Sequence, residues 1–394
     1  MNYILFDDQA KTNLLPLTFT RTVADLRVGI TTIREKWENY LNAKTSSLTD
    51  EYLCEKFPIK QANQNILING SVIPNEALVN EIKSLGNNEI LVSEDIIVAM
   101  SVPLKALKSL SLECAGNSES KTTQNLKLKI NNLWDIFIIN SKVIHDDFDR
   151  LTKGRKSQQA SKTNVLIGKD IFIEEGAKVE CATLNSTNGP IYIGKDAEIM
   201  EGSHVRGPFV LCDNAQLKMG AKVYGGTTIG PHCKVGGEIN NCIFIGYANK
   251  AHDGFLGQSV IGEWCNLGAG TNNSNLKNNY EEVKLWSYAS KRFESTGLQF
   301  CGLIMGDHSK CGINTMFNTG TVVGINASIF GAGFQRNFIP SFSWGGASKF
   351  TTYEISKAVD VARRVLERRT KDLDEKDEKI LQTIYDLTLE YRYM

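Results

Sequence analysis

Two histidines in this chain are candidates for chemistry, and His252 is the first of them. His252 lies in the segment KAHDGF, beside Asp253, at a break in an otherwise regular apolar repeat. Imidazole exchanges a proton near neutral pH, which is what a general base must do. An isolated histidine is more often structural, so residue type alone leaves both roles open. His308, in MGDHSKCGIN, is a second candidate base. Near the N-terminus, Asp7 and Asp8 follow a short apolar run. Their carboxylates are hard oxygen donors suited to Mg²⁺, and equally suited to capping the turn that follows. Lys153, Arg155, Lys156 and Lys162 fall in a stretch with no apolar residue larger than Ala, where they could meet a nucleotide phosphate or simply be solvated.

These groups need a scaffold, and the sequence names one by its period. From Ile193 an apolar residue returns at every sixth position, as Ile199, Val205, Leu211, Leu217, Val223, Ile229 and Val235. With apolar residues at 42% of the chain, eight hits in one chosen register arise by chance about once in a thousand. Six fits neither a 3.6-residue helical turn nor a two-residue strand alternation. It is the hexapeptide period of a parallel β-helix, in which three short strands close each coil and the coils stabilise one another by stacking. The repeat opens at Ile167, Ile173 and Val179, is interrupted by CATLNSTNGP, breaks after Val235, and returns at Phe255, Ile261 and Leu267, then from Met305 to Ile329. Gly194, Gly202, Gly220, Gly225, Gly230 and Gly236 suit its corners. Ladder residues do no chemistry, so function belongs to the loops where the repeat breaks.

Before the repeat, the apolar runs Tyr3–Phe6, Asn65–Asn69 and Glu89–Met100 alternate with helical patterns in ITTIREKWENYL and PNEALVNEIKSL. That alternation predicts an α/β domain with a largely parallel sheet over residues 1–151. Asn117–Asn125 reads as a loop, residues 134–151 as the closing helix of this domain, and residues 152–164 as a linker. The β-helix follows over 165–350. A helical pair closes the chain over 351–394, with Thr351 and Glu354 placed as a capping box and Ile380, Leu381, Ile384 and Leu387 facing inward.

Composition narrows the class. Lys+Arg and Asp+Glu both number 44, so no basic excess marks a nucleic-acid or membrane-surface partner. The nine cysteines form no CxxC pair, which predicts free thiols in a reducing, cytoplasmic setting. No apolar run reaches membrane-spanning length.

Two stretches carry a resemblance. Pro16-Leu17-Thr18 and Arg21 stand where sugar nucleotidyltransferases place their Pro-Leu-Thr and arginine nucleotide-binding elements. The glycine-rich phosphate loop of that family is replaced by FDDQAKTN, and its metal-binding Gly-Asp by Gly70-Ser71. Residues 250–275, KAHDGFLGQSVIGEWCNLGAGTNNSN, resemble the acetyltransferase half of the bifunctional GlmU-type enzymes. The resemblance implies a divergent nucleotidyltransferase-like, Rossmann-like domain joined to a left-handed β-helix. It also implies acyl transfer from acetyl-CoA to an aminosugar phosphate with His252 as base, and a homotrimer sharing its sites between neighbours. Asn266 and Asn275 match positions that hold the sugar and the acetyl group, and Phe255 matches a tyrosine that contacts the sugar phosphate. The family's cationic phosphate ligands fall near Val223 and Asn240, with only Lys222 close by. GAGFQRNF resembles the late coils that carry the pantetheine arm, which would put Gly331, Ala332 and Gly333 beside it and Arg336 at a CoA phosphate; a glycine-rich end to the coils accounts for the same residues. Alternatives are nucleotidyl transfer alone, or a non-catalytic protein that binds a sugar nucleotide.

Overall fold

A computed structural model describes residues 1–104 and 119–393. They form two compact units. The first comprises Met1–Leu14, Thr20–Leu26 and Thr31–Asp135; the second comprises Leu15–Phe19, Arg27–Ile30 and Ile136–Met394.

In the first unit, β1 (Asn2–Phe6), β2 (Thr45–Leu48), β3 (Gln64–Asn69), β4 (Glu89–Ser93), β5 (Ile96–Pro103) and β6 (Glu119–Thr122) make one sheet in the order β2-β1-β3-β5-β4-β6. Among the described residues it is accompanied by the helices α1 (Ala10–Asn13), α2 (Ile33–Leu41) and α3 (Glu76–Lys83). Ile4, Phe6, Leu67, Ile90 and Met100 pack together as a core. Thr32 and Glu35 close a capping box on α2, and Trp37 buries its ring while its Nε1 donates to the Val72 carbonyl at 2.9 Å.

The sheet is mixed rather than largely parallel. Glu89–Met100 is not one strand but the hairpin β4–β5, reversed through Glu94 at φ 51°. β3 also pairs with β5 antiparallel. The polar stretch expected as a loop contains β6, which pairs with β4; Asn117 and Ser118 lie outside the described residues. Polar β6 has an exposed burial pattern, so no alternation announced it.

In the second unit, three faces of parallel strands build a β-helix of the left-handed, hexapeptide kind. The first face runs from Val165–Ile167 to Phe255–Gly257, the second from Ile171–Ile173 to Phe338–Ile339, and the third from Lys178–Val179 to Ser343–Gly346. Ile193, Leu211 and Ile229 stand in register on the second face, Ile199, Leu217 and Val235 on the third, and Val205 and Val223 on the first. All are buried in one continuous core.

The irregularities differ from their sequence appearance. In the opening coil Leu166, not Ile167, is in register with Leu184 and Val205, and both are exposed because no coil lies beneath. The apparent break after Val235 is a coil shortened to fifteen residues, which puts Phe244 over Ile229 and Lys250 over Val235. Phe255 leaves the ladder; Leu256 takes the inward position over Ile239. The true insertion is at 272–300, where Lys284–Ser287 and Arg292–Ser295 form a hairpin before the coil resumes with Met305 over Ile261.

Helix α4 (Asp135–Thr152), expected to close the first domain, packs on the β-helix. Ile144, Phe148 and Leu151 join Phe172, Tyr192 and Val210 in an apolar cluster. Buried Asn140 binds Gly226 O at 2.8 Å and Thr228 Oγ1 at 3.1 Å. Residues 152–164 are mostly exposed, yet they are held against the coils. Gln158 bonds to Ile173 O and Ala177 O, Asn164 to Val179 O, and Arg155 pairs with Glu174, so the segment closes the first coil. The C-terminal pair is α5 (Ile355–Glu367) and α6 (Glu375–Leu387). Thr351 belongs to the strand Lys349–Thr352 and bonds to Trp344 O, so the expected capping box is absent. Ile380, Leu381 and Ile384 are buried, whereas Leu387 is 55% exposed.

An unpaired carboxylate on an inward ladder costs more than the stability margin of most domains. Leu217→Asp and Val205→Asp should each be insoluble or lack a cooperative melt; circular dichroism with thermal unfolding checks this, and a parent-like melt in either variant would contradict the ladder.

Candidate active site

His252 sits at the corner where the chain leaves the third face after Asn249–Lys250 and enters the first at Phe255. Its side chain is exposed, and it borders a cavity of about 580 Å³ with Met200, Lys218, Met219, Asp253, Ala269 and Gly270. The corner is tightly built. Gly270 N donates to Asp253 O at 3.0 Å, and Gly254, at φ 124°, sits so close to Thr271 O that a Cβ would lie 2.1 Å from it. Only glycine fits there.

Beneath the corner lies an unexpected group. Lys250 occupies an inward ladder position at 1% exposure. Its Nζ donates to the His252 carbonyl at 2.7 Å and to the Gly236 carbonyl at 3.3 Å. A buried ammonium must find acceptors, and here they are the backbone of the corner itself. Lys250 is therefore a tether that fixes the path of the chain at His252. Burial pushes its pKa down to about 8, against the opposing charge of Asp253.

The other candidate residues distribute over neighbouring surfaces. Phe255 and Asn275 approach one another over Gly257, where a Cβ would lie 2.6 Å from Phe255 Cζ and from Asn275 Nδ2. Asn275 Nδ2 also donates to Gln258 Oε1. Lys222, Glu238 and Phe255 form one column on the first face, with Lys222 Nζ 3.9 Å from Glu238. The cation near the expected sugar-phosphate position is thus faced by a carboxylate. Asn266 lies on the third face, between Asn249 and Lys310, away from Asn275. Gly331, Ala332 and Gly333 are exposed and follow Ile329, which stands two rungs beyond Leu267 in the ladder that carries Lys250. They lie on the same edge as His252. Gly331 and Gly333 have φ of 98° and 93°, and a Cβ on Gly331 would meet nothing within 4 Å, so their backbone is open to a ligand. Arg336 is exposed.

His308 belongs elsewhere. It is 8% exposed, at φ 60°, and ends a stack of rings. His232, Tyr247, Trp264 and His308 succeed one another with centroid separations of 4.6, 4.2 and 6.3 Å, all within 17° of parallel. Each occupies the left-handed corner position between the second and third faces. The sequence carries this signal as a repeated apolar-Gly-x-ring pattern in IGPH, IGEW and MGDH, shortened by one residue to IGY in the short coil. A stacked position in left-handed backbone makes His308 structural.

In the first unit, Asp7 and Asp8 stand at the C-terminal end of β1. Asp7 accepts from Val23 N at 2.8 Å and Thr49 Oγ1 at 2.6 Å and faces Lys11 Nζ at 3.2 Å. Burial raises its pKa despite that lysine. Asp8 accepts from Ala10 N at 3.0 Å and from Asn69 Nδ2 at 2.9 Å, and it meets Lys129 Nζ at 3.1 Å. Both carboxylates face ammonium groups, and no cluster of three His, Cys, Asp or Glu suited to a cation occurs among the described residues. The donor set does not fit Mg²⁺. Thr18 and Arg21 are 0% and 6% exposed, and Pro16 and Leu17 are buried too. Where a glycine-rich loop would present backbone N–H groups to a phosphate, α1 occupies the chain instead.

Comparison with known proteins gives partial matches. Residues 3–156 match the family model described as sugar nucleotidyl transferase. The chain is 38% identical over 92 residues to the bifunctional protein GlmU of Methanocaldococcus jannaschii, which is 23% of this chain and 22% of that protein. It is 32% identical over 144 residues to a bifunctional sugar-1-phosphate nucleotidylyltransferase/acetyltransferase of Sulfurisphaera tokodaii, 36% of this chain and 35% of that protein. A longer match, 24% over 245 residues, covers 54% of this chain and 48% of a GlmU from Legionella pneumophila. Each match spans less than half of the relative.

Two desolvated lysines, Lys250 buried and Lys310 half-buried, make stability depend on pH. Lys250 and Lys310 both titrate near 8 in the folded chain against 10.5 ordinarily. Below about 8 they are charged folded or unfolded, and the cost of burial is fully present. Above 10.5 they are neutral in both states and the cost is gone. Stability therefore rises with pH between these values. Lys250→Met should melt no lower than the parent at pH 7 and gain less on going from pH 8 to 10; an unchanged pH slope would show that Lys250 is not the buried charge.

Proposed function

We propose that the chain is an acyltransferase of the hexapeptide-repeat type, moving an acyl group, in the first instance acetyl, from CoA to the amine of a sugar phosphate or sugar nucleotide. The observation that carries this reading is the His252 corner, where buried Lys250 holds the His252 backbone carbonyl and the imidazole is exposed on the edge that also presents Gly331–Gly333. His252 accepts the proton of the attacking amine, and the backbone of Gly331, Ala332 and Gly333 lies along the pantetheine arm with Arg336 toward a CoA phosphate. Phe255 and Asn275 face the acceptor from the first face. Asn266, on the third face, reaches the same reaction only across a boundary between copies.

A homotrimer would supply that boundary. Met219 and Ile313 are 70% and 72% exposed and stand at the same corner as His252, an apolar edge that a neighbouring coil stack would cover. Sedimentation should give a trimer at micromolar concentration; monomer alone would count against shared sites.

For the first unit the better reading is binding without turnover. With Lys11 and Lys129 on Asp7 and Asp8, and α1 in place of the phosphate loop, pyrophosphate release from nucleoside triphosphates and sugar 1-phosphates should be weak or absent whether or not Mg²⁺ is added. Robust Mg²⁺-dependent release would overturn this.

Removal of a general base lowers rate by about 10²–10⁴-fold with little loss of binding. His252→Ala should show that drop in kcat, with CoA affinity and melting temperature close to the parent. His145→Ala, exposed on α4, is the control. A His252→Ala rate within about threefold of the parent ends the assignment, since that is well under 1 kcal/mol of transition-state stabilisation.

A further inference from the structure

The third face carries a second cavity, of about 460 Å³, on the other side of Ala251 from His252. Its floor is a column of four residues in register, Lys234, Asn249, Asn266 and Lys310. Its opposite wall is the end of α5, with Val365, Arg368 and Arg369, and the ring edges of Tyr247 and Trp264 flank it. Four cations line this space and no carboxylate does.

Like charges are brought together here at a cost. Arg368 and Arg369 are explained in part by the helix, since cations at a helix C-terminus meet its unpaired carbonyls. That account does not reach Lys234 and Lys310, which sit on the strand face. Lys310 Nζ donates to His308 O at 2.8 Å, and burial pushes its pKa down to about 8. Lys234 is lowered by burial first and then by Arg369, Lys218 and Arg368, with only Glu198 opposing. Arg369 reaches Asn249 Oδ1 at 3.4 Å, so the wall and floor already touch through polar atoms. Lysine at the two ends, amides between, and arginine above make a strip that donates hydrogen bonds along its whole length.

We propose that this cavity binds the diphosphate of a nucleoside diphosphate ester. The strip spans three rungs, roughly 14 Å at the ordinary strand spacing, longer than a single phosphate needs and suited to an extended dianion. The Asn249 and Asn266 amides lie at its centre, with Lys234 and Lys310 neutralising the ends and Arg368 and Arg369 closing over it as charge-assisted donors. Coenzyme A and nucleotide sugars both carry this group. The inference does not depend on acyl transfer, because occupancy is measured without turnover.

The test is calorimetric titration of the full chain with CoA, uridine diphosphate and inorganic phosphate at low salt. The parent is compared with Arg368→Gln/Arg369→Gln, Lys310→Met and, as a control on the same face outside the cavity, Lys178→Gln. The difference between parent and variant reports this cavity alone, whatever else binds on the first unit. CoA or uridine diphosphate should bind the parent, lose at least tenfold in affinity in both cavity variants, and be unaffected in Lys178→Gln; the tighter of the two names the source of the diphosphate. Inorganic phosphate should bind at least tenfold more weakly. Melting curves matching the parent show the double variant to be folded, and Lys310→Met tests the floor independently of α5. Three results overturn the proposal: no heat from CoA or uridine diphosphate, equal affinity in parent and variants, or inorganic phosphate binding as tightly as the diphosphates.

Discussion

The inner ladder governs everything else in the second unit. Each coil must place one side chain on each of three ladders, in register with the coil below, because the parallel hydrogen bonds fix the rungs at about 4.8 Å. Once Ile199, Leu217 and Val235 are stacked, the residues beside them are stacked too. Outward columns such as Lys222-Glu238-Phe255 and Lys234-Asn249-Asn266-Lys310 are by-products of that register. So is the ring stack from His232 to His308, which exists because every coil turns the same corner in left-handed backbone. A functional surface on such a scaffold is assembled from residues some eighteen positions apart.

That explains what the sequence disclosed. The regular coils were legible because their inward residues are apolar at a fixed period, and His252 was legible because it interrupts them. Lys250 was not. A lysine in the one coil of fifteen residues looks like the end of a repeat, and only the register with Val235 reveals it as a ladder residue. Phe255 erred in the opposite direction: its apolar ring looked inward while Leu256 held the ladder. The hairpin β4–β5 was hidden because both of its strands are apolar and their reversal uses Glu-Asp rather than glycine. β6 was missed because an exposed polar strand has no periodicity to detect.

Charge placement is the second theme. In the first unit ammonium groups approach the two aspartates that follow β1, which turns a candidate cation site into a set of internal ion pairs. In the second unit the ammonium groups of Lys250 and Lys310 are desolvated and are satisfied by backbone carbonyls at two corners, His252 and His308. Ion pairs of the first kind hold a fold together; amines of the second kind leave positive potential directed at a surface, where an anion can use it.

The ends of the coil stack are closed on particular faces, the second and third at the opening coil and the third at the last. Residues 157–164 bond across the first coil through Ser157, Gln158 and Asn164, and at the far end Lys349–Thr352 adds to Ser343–Gly346 with its direction reversed. A parallel stack left open would offer each terminal rung as a template for another chain, and identical molecules could then join end to end without limit. An antiparallel strand cannot be continued by the next coil of the same hand. On the second and third faces the chain thus covers rungs that would otherwise template another copy, and only the first face, at Val165–Ile167, leaves its opening strand bare.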